Sequence, residues 1–544
     1  MVLTQVDTAV ASRNTTWGKW TALVAALLGW MFDGAEMGMF SMVGRDAMMD
    51  LLSATNPTEA DVGMAFGVII AVFLVGAAAG GVLFGWLGDR IGRVRAMSLS
   101  VLVYALLTGL CGLAQTPMQL GALRFLASLG MGGEWALGVA LVMEVWPNKS
   151  RALMAGLIGA AANAGYLIVG FTSMGLASLI SSVQRLLLHL GMPEEFVSML
   201  VAHHGWRLMM MIGTLPALLT FFFRIFVPES RRWEEEKQRG RTRGWHTVDL
   251  FGVLIGCTGP AIILIVWTWD VSDWNLGSAI LGRSLGTLAG LVIATMGFTY
   301  PVWRYIERSL LSEDVVLAPR QNRRLIVNRM FLGACLSSVA LLGTWGTTQW
   351  AVTWAGSLQG VVAQVAVTAG EPEHEPDIVQ RFAKQWTQIA TALGAMIGTL
   401  LAAAMGEALG RRATNCAMCG LSMLSVLWLY QGHSTFGIPL LSAALVAGMC
   451  TASFYGWLPL YLPELFPTVM RATCQGFAFN FGRILAAIGT LQMSSLLPYY
   501  QGFTTYSGIQ GGYAVACSSL TAIYLLGMVL IWFAPETKGQ PLPE

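Results

Sequence analysis

Five ionisable side chains stand inside long apolar runs: Asp33, Glu36, Arg124, Glu134 and Arg483. Each such group costs roughly 2.5–3.5 kcal/mol to insert into hydrocarbon, so it is a candidate for function before it is a candidate for packing. Asp33 and Glu36 are three residues apart, which puts both carboxyls on one face of a helix. Two carboxylates that close do not both ionise readily in a low dielectric, and the pair is a place to accept a proton near neutral pH. Arg124 lies early in its run, and Glu134 sits about 15 Å further along the same helix. Glu134 reads as a second proton site, a substrate contact, or a partner of backbone groups beside Gly132 and Gly133. Arg483, in Asn480-Phe-Gly-Arg483, could hold a carboxylate in the two-pronged fork of its guanidinium, or it could pair with a buried acid. Asn163, Gln349, Tyr455, Gln475 and Asn480 are uncharged candidates for a shared cavity, and Trp345 and Trp350 could stack on a ring.

These groups stand out because charge is scarce. The 544 residues include 32 Lys and Arg and 30 Asp and Glu, 11% charged in all, against 55% apolar. A soluble chain carries about 25% charged residues, and so few could not clothe several water-soluble domains. Disorder is excluded because there is too much to bury. The net charge of +2 gives no hint of nucleic-acid binding. The expected solvent is the lipid bilayer.

A membrane-spanning helix needs about 20 apolar residues. Fourteen runs qualify: Trp20–Val43, Val62–Leu87, Ala96–Ala114, Met118–Trp146, Ala152–Ile180, Trp206–Val227, Leu250–Trp269, Ala279–Val302, Met330–Ala355, Ile389–Leu409, Ala413–Tyr430, Ile438–Leu462, Ala472–Leu497 and Gly512–Ala534. They are too long and continuous for barrel strands. The first follows a polar stretch and precedes no small-residue cleavage site, so it reads as a span and not a removable signal. The six His (His189, His203, His204, His246, His374, His433) fall in or beside polar connections. That argues against a His-ligated haem or metal in the membrane, and no cofactor is expected. Cys416-Ala-Met-Cys419 has redox-like spacing but no partner pair, and reads as packing. The 29 Met and most of the 20 Trp read as lipid-facing or interfacial mass.

With both termini inside, the inner segments hold 24 of the 32 Lys and Arg, among them Arg90, Arg93, Arg95, Lys149, Arg151 and the stretches 231–243 and 304–329. Arg45, Arg124, Arg185, Arg207, Arg283, Arg381 and Lys384 lie outside or at outer ends. An outer connection is acidic, with Glu371, Glu373, Glu375 and Asp377. This asymmetry predicts a multi-pass cell-membrane protein with cytoplasmic termini. Gly76-xxx-Gly80 and Gly81-xxx-Gly85 predict close helix approach, and Pro216 and Pro459 predict kinks.

The chain also repeats itself. Glu144-Val-Trp-Pro147-Asn-Lys-Ser-Arg151-Ala152 returns as Glu464-Leu-Phe-Pro467-Thr-Val-Met-Arg471-Ala472, each with a Gly five residues after the Arg (Gly156, Gly476). Gly88-Asp89-Arg90-Ile-Gly92-Arg93 matches Gly406-Glu407-Ala-Leu-Gly410-Arg411, and Phe226-Val-Pro228-Glu229-Ser230 matches Phe533-Ala-Pro535-Glu536-Thr537. The matches keep their order, so the repeat is parallel with its axis along the membrane normal, an arrangement found in transporters. The expected organisation is a six-helix bundle (residues 1–228), a linker with an inserted two-helix hairpin (229–329), and a second six-helix bundle (330–544).

Gly85-Trp-Leu-Gly88-Asp89-Arg90-Ile-Gly92-Arg93 is similar to the loop signature of the major facilitator superfamily. Pro228-Glu229-Ser230 and Pro463-Glu464-Leu-Phe-Pro467-Thr-x-x-Arg471 resemble its sugar-porter and aromatic-acid branches. Phe32-Asp33-Gly34-Ala35-Glu36 and Gly130-Met-Gly132-Gly133-Glu134-Trp135 resemble the aromatic-acid and sialate proton symporters, some of which carry two extra central spans. Here Glu36 replaces a more usual Asp, and Arg411-Arg412 is a degenerate copy of the first signature. The resemblance implies an all-α integral membrane protein of the major facilitator fold with two extra helices, fourteen spans in all, that works without enzyme chemistry.

It further implies that a first-span acid and the fourth-span Arg form a pair broken by protonation. On this reading Asp33 is the main proton carrier, tuned by Arg124, with Glu36 and Glu134 as further acids; a static ion pair that only fixes packing is the competing reading. Asp89, Arg90, Arg93, Glu144, Arg151, Glu464 and Arg471 would form ionic latches on the inner rim, although a solvated positive-inside loop also explains the arginines. The expected activity is proton-coupled symport, as a monomer, of a small organic solute such as a sialic acid, an aromatic acid or a sugar. A drug or metabolite exporter and a non-transporting nutrient sensor use the same scaffold. A membrane enzyme is disfavoured by the lack of a His cluster or soluble domain.

Overall fold

The computed structural model describes residues 3–146, 150–214, 218, 221, 227, 229–240, 246–269, 276–311, 323–368, 378–506, 508 and 511–543. The fold is helical almost throughout. α1 spans Leu3–Leu52. α2, Glu59–Ile91, opens on a capping box in which the Asp61 N–H donates to the Thr58 hydroxyl and the Thr58 N–H returns to the Asp61 carboxylate, closing two otherwise unsatisfied groups. It stops at Gly92, whose φ of +116° lets the chain turn straight into α3, Arg93–Cys111. α4, Pro117–Val145, starts with Pro at its first turn under a Thr116 cap, where the missing N–H costs nothing. α5 is Arg151–His189. α6, Glu194–Ile212, is broken from Ala202 to Gly205; beyond the break the Trp206 indole N–H and the Arg207 guanidinium both donate to Asp50 at the end of α1, at 2.9 and 3.0 Å.

Next come α7 (Arg231–Gln238), α8 (Leu250–Thr268) and α9 (Leu276–Leu311). α10 (Arg323–Gly343) runs through a π turn at Thr344–Thr348 into α11 (Gln349–Thr368). They are followed by α12 (Ala383–Leu409), α13 (Arg411–Gln431), α14 (Ile438–Thr451) and α15 (Phe454–Tyr461). The last four are α16 (Arg471–Asn480), α17 (Gly482–Tyr500), α18 (Gly512–Leu520) and α19 (Ile523–Leu530).

Helices α1–α6 pack among themselves, as do α10–α19, and the two groups meet along α5 with α12 and along α2 with α16 and α17. The glycine ladder of α2 serves both associations: Gly76 and Gly80 face the backbone of α4, while Gly81 and Gly85 face α16 across the seam. α8 and α9 pair with each other and lean on α2, α16 and α17. Leu281, Leu285, Leu288, Val292 and Met296 form an exposed apolar stripe along α9, a surface suited to lipid.

Among the described residues, twelve helical segments are long and apolar enough to cross a membrane. Two of the fourteen expected runs are not among them. Trp206–Val227 is described only at residues 206–214, 218, 221 and 227, and Ala472–Leu497 is two helices, α16 and α17, joined at Phe481. The expected kink at Pro216, the loop residues Pro147 and Lys149, and the acidic connection Glu371 to Asp377 also lie outside the described residues. Pro459 sits inside α15, and the break lies before it at Ala452 and Ser453, where the ladder tightens to Tyr455 N–H to Ala452 and Gly456 N–H to Ser453.

Candidate functional site

A cavity with about 1050 Å³ of atom-free space in and at its mouth lies between the two groups of helices. α1 contributes Trp30, Asp33 and Met37; α5 contributes Asn163 and Tyr166; the π turn and α11 contribute Trp345, Thr348 and Gln349. Gln388 on α12, Tyr455 on α15, Phe479 on α16 and Arg483 on α17 close the far side, and Trp135 reaches in from α4.

Of the residues expected in a cavity, Asn163, Gln349, Tyr455, Arg483 and Trp345 line it, and Asp33 joins them. Gln475 and Asn480 do not. Gln475 donates to the Ala136 carbonyl, and Asn480 donates to the carbonyls of Gly132 and Gly476 at 3.1 and 3.0 Å, so both are spent on the crossing of α16 with α4. Trp350 lies in a separate small hollow with Ser41 and Phe66. The sequence reading missed Trp30, Trp135, Tyr166, Gln388 and Phe479. Stepping three or four residues from Asp33, Asn163 and Arg483 reaches Trp30, Tyr166 and Phe479, because helix faces recur at that spacing.

The arginines separate cleanly. Arg483 is 5% exposed, its Nη1 has no hydrogen-bond partner, and its guanidinium carbon stands 5.5 Å from the Phe479 ring centre. Asp33, Tyr455, Tyr166 and Glu36 are the groups whose charge it feels. Arg124 instead makes an ion pair with Glu36, which also accepts from the Thr108 hydroxyl at 3.4 Å. The Arg124 guanidinium is held between the rings of Phe40 and Phe73, 4.4 Å from each. The first-span acid bonded to Arg124 is therefore Glu36 and not Asp33, and that pair lies off the cavity, as does the buried Glu134. Away from the arginine-rich end, Gln349 donates to the Tyr166 hydroxyl at 3.1 Å and accepts from Ser41 at 3.4 Å, while Gln388 donates to the Tyr166 carbonyl at 2.9 Å. These bonds bridge the two groups of helices.

At the arginine-rich end the two groups are bolted together. Asp89 accepts from the Thr473 N–H and hydroxyl at 2.9 and 2.5 Å, and Arg93 donates to Asp89 at 2.6 Å and to the Thr468 carbonyl at 2.9 Å. Glu144 binds Arg93 at 3.3 Å and Arg471 at 3.1 Å, and accepts from Ser230 at 2.7 Å. Glu464 binds Arg411 at 2.7 Å, accepts from Thr537 at 2.5 Å, and faces Arg151. The two Glu–Pro–Arg copies thus pair crosswise, each Glu meeting the Arg of the other copy. Arg90 donates to Thr247 at 2.7 Å at the foot of the α8–α9 pair.

Two further carboxylates repeat as well. Glu229 accepts from the backbone N–H groups of Arg93 and Val94, and Glu536 from those of Arg411 and Arg412. Their environments oppose each other. Burial pushes the Glu229 carboxyl above the usual 4.5 despite the donors around it. Glu536 also carries a burial cost, but the N–H groups of Arg411, Arg412 and Lys538 hold it below 4.5.

Comparison with known proteins fits this geometry. The sequence pattern of the family described as "Sugar (and other) transporter" matches residues 21–243. The fold is similar to that of the proton:xylose symporter XylE bound to 6-bromo-6-deoxy-D-glucose, with a TM-score of 0.62, 17% identity, and coverage of 97% of this chain and 98% of that one. The chain has the fold of a major facilitator superfamily transporter. A "Probable 4-methylmuconolactone transporter" of Cupriavidus pinatubonensis is 27% identical over 95% of this chain and 90% of its own length. A "Probable inorganic phosphate transporter 1-8" of Oryza sativa subsp. japonica is 25% identical over 99% of this chain and 93% of its own length. These relatives are named as transporters of small molecules, not as enzymes.

Proposed function

We propose that this transporter is a proton-coupled symporter of a small organic anion, working by alternating access. One observation carries the reading: a buried guanidinium, Arg483, stands in the central cavity with an unpartnered N–H. A buried charged donor with an open N–H is a strong receptor for carboxylate. Asp33 shares the cavity and carries the proton. Asn163, Gln349, Tyr166 and Tyr455 orient the substrate. Arg124, paired with Glu36 behind α1, tunes Asp33, and Glu134 supports the α4 backbone.

The bolted end is the cytoplasmic mouth in its closed state. Asp89, Arg90, Arg93, Glu144, Arg151, Glu464 and Arg471 hold it shut and release it as the bundles (residues 1–228 and 330–544) rock about the cavity. The proposal keeps fourteen spans, with α8 and α9 as an inserted hairpin within residues 229–329. Both termini are cytoplasmic, and the protein works as a monomer in the cell membrane, driven by the proton gradient without a bound cofactor.

The amides of Asn163, Gln349 and Gln388 in the cavity favour a second reading, a sugar substrate. Proteoliposome uptake of labelled 4-methylmuconolactone, benzoate, phosphate and xylose, with and without an inward proton gradient, distinguishes them. Gradient-driven accumulation of an organic acid is expected. Accumulation of xylose or phosphate with no organic acid moved overturns the reading.

A further inference from the structure

The main cavity is lined by one acid and one base. Among the described residues around it, Asp33 and Arg483 are the sole Asp, Glu, Lys, Arg or His side chains. Arg124 is off the cavity and already neutralised by Glu36. With Asp33 ionised, the empty site sums to zero charge. Adding one carboxylate leaves a net charge of minus one in a site walled by Trp30, Trp135, Trp345 and Phe479, where unbalanced charge is expensive. A proton taken from water by the Asp33 carboxylate restores the sum to zero. We infer that the transporter carries one proton with one monocarboxylate, electroneutrally, and discriminates against dicarboxylates because no second cation lines the site among the described residues. The inference rests on the organic-anion reading and adds stoichiometry and substrate charge to it.

The geometry gives each partner a separate task. The Arg483 guanidinium holds the incoming carboxylate through its open N–H. Asp33, losing its share of that guanidinium, becomes the base that takes the proton. The loaded and empty carriers then have the same net charge in the cavity, so the membrane potential does no work on either crossing. The aromatic walls suit a flat, apolar substrate body.

The test uses the full-length transporter in proteoliposomes, with benzoate, 4-methylmuconolactone and cis,cis-muconate as probes, protein-free liposomes as background, and potential clamped by potassium and valinomycin. One unit of pH gradient should raise steady-state accumulation of benzoate or 4-methylmuconolactone about tenfold. An imposed potential of about 100 mV should leave it unchanged, where movement of one net charge would alter it roughly 50-fold. The dicarboxylate should enter roughly 10- to 100-fold more slowly. Asp33→Asn should retain exchange of internal for external benzoate and lose the response to the pH gradient. Arg483→Gln should lose uptake of both monocarboxylates by roughly 10- to 100-fold, with Arg483→Lys recovering part of it in equally monodisperse protein. A potential-dependent accumulation, or muconate moving as fast as benzoate, overturns the inference while leaving an organic-anion transporter in place. Uptake of xylose or phosphate with none of the acids overturns both.

Discussion

The indole of Trp135 lies flat on the ring of Phe479, centroids 3.6 Å apart and planes 7° from parallel, and the two residues come from opposite groups of helices. Both rings line the cavity, and their helices α4 and α16 also carry Glu144 and Thr473 of the arginine-rich bolts, so on the proposed mechanism the stack parts when that end opens. Phe479 also carries Arg483 against its ring, which joins the aromatic floor to the charged group above it. Occupation of the cavity and closure of the floor are therefore felt by the same side chain.

An aromatic pair of this kind contributes about 0.5–1.5 kcal/mol beyond the area it buries. Trp135→Ala should shift the transporter toward opening at the arginine-rich end by roughly 2- to 10-fold. Cys474, buried on α16 below the stack, reports it. Its rate of alkylation, followed by mass spectrometry, should rise by that factor. An unchanged rate means that the stack takes no part in closure.

Thr473 offers a milder way to loosen the same end. Its hydroxyl donates to Asp89 at 2.5 Å across the seam, and Thr473→Val keeps the shape while deleting that bond. Hydrogen bonds to charged groups are worth about 1.5–3 kcal/mol. Opening should become roughly 10- to 100-fold more frequent, read by protease or alkylation access from that side. Wild-type access in the variant would show that Asp89 closes the mouth without this donor.

Glu36→Gln leaves the Arg124 guanidinium charged and buried between Phe40 and Phe73. Removing one partner of a buried pair costs about 3–5 kcal/mol. The variant should melt well below wild type in detergent, and adding Arg124→Met should restore much of the loss. Equal melting temperatures for wild type and Glu36→Gln would mean that the pair contributes no stability.

The repeated carboxylates Glu229 and Glu536 predict opposite pH dependences. Glu536 is held below 4.5, so its contribution is present above that value and is lost as the pH falls through the lowered one. Glu229 is pushed above 4.5, so its contribution is present below that value and is lost as the pH rises through the raised one. Relative to wild type, Glu536→Gln should therefore lose stability as the pH rises through the carboxylate range, and Glu229→Gln should gain it. Parallel melting curves for the two variants would contradict this assignment.

Much of this architecture is legible in composition and repetition. Apolar runs separated by basic connections carry the helices, and the recurring Glu–Pro–Arg and Pro–Glu segments mark equivalent corners. The buried charges are legible because they are exceptions in apolar helices. Their pairing is not. Asp33 and Glu36 lie about 60° apart around α1, so a modest rotation decides which one faces the cavity and which meets Arg124. That rotation is set by tertiary contact, with Gly34 seated against the Ala162 carbonyl of α5. Gln475 and Asn480 misled for a related reason, since a polar residue in a span can serve a cavity or a helix crossing, and the crossing took both. The stacking of Trp135 on Phe479 carried no mark, because an aromatic residue in an apolar helix announces nothing about its neighbour.

The π turn at Thr344–Thr348 has a consequence for how such a site can change. A π turn holds one surplus residue in an otherwise α-helical path. Deleting a single residue there would restore the regular phase and swing all of α11 by about 100°, taking Gln349 and Val352 off the cavity wall together. Insertion and deletion at this turn are thus a route to a new specificity that requires no exchange of any wall residue, a change in chain length read out as a change in chemistry.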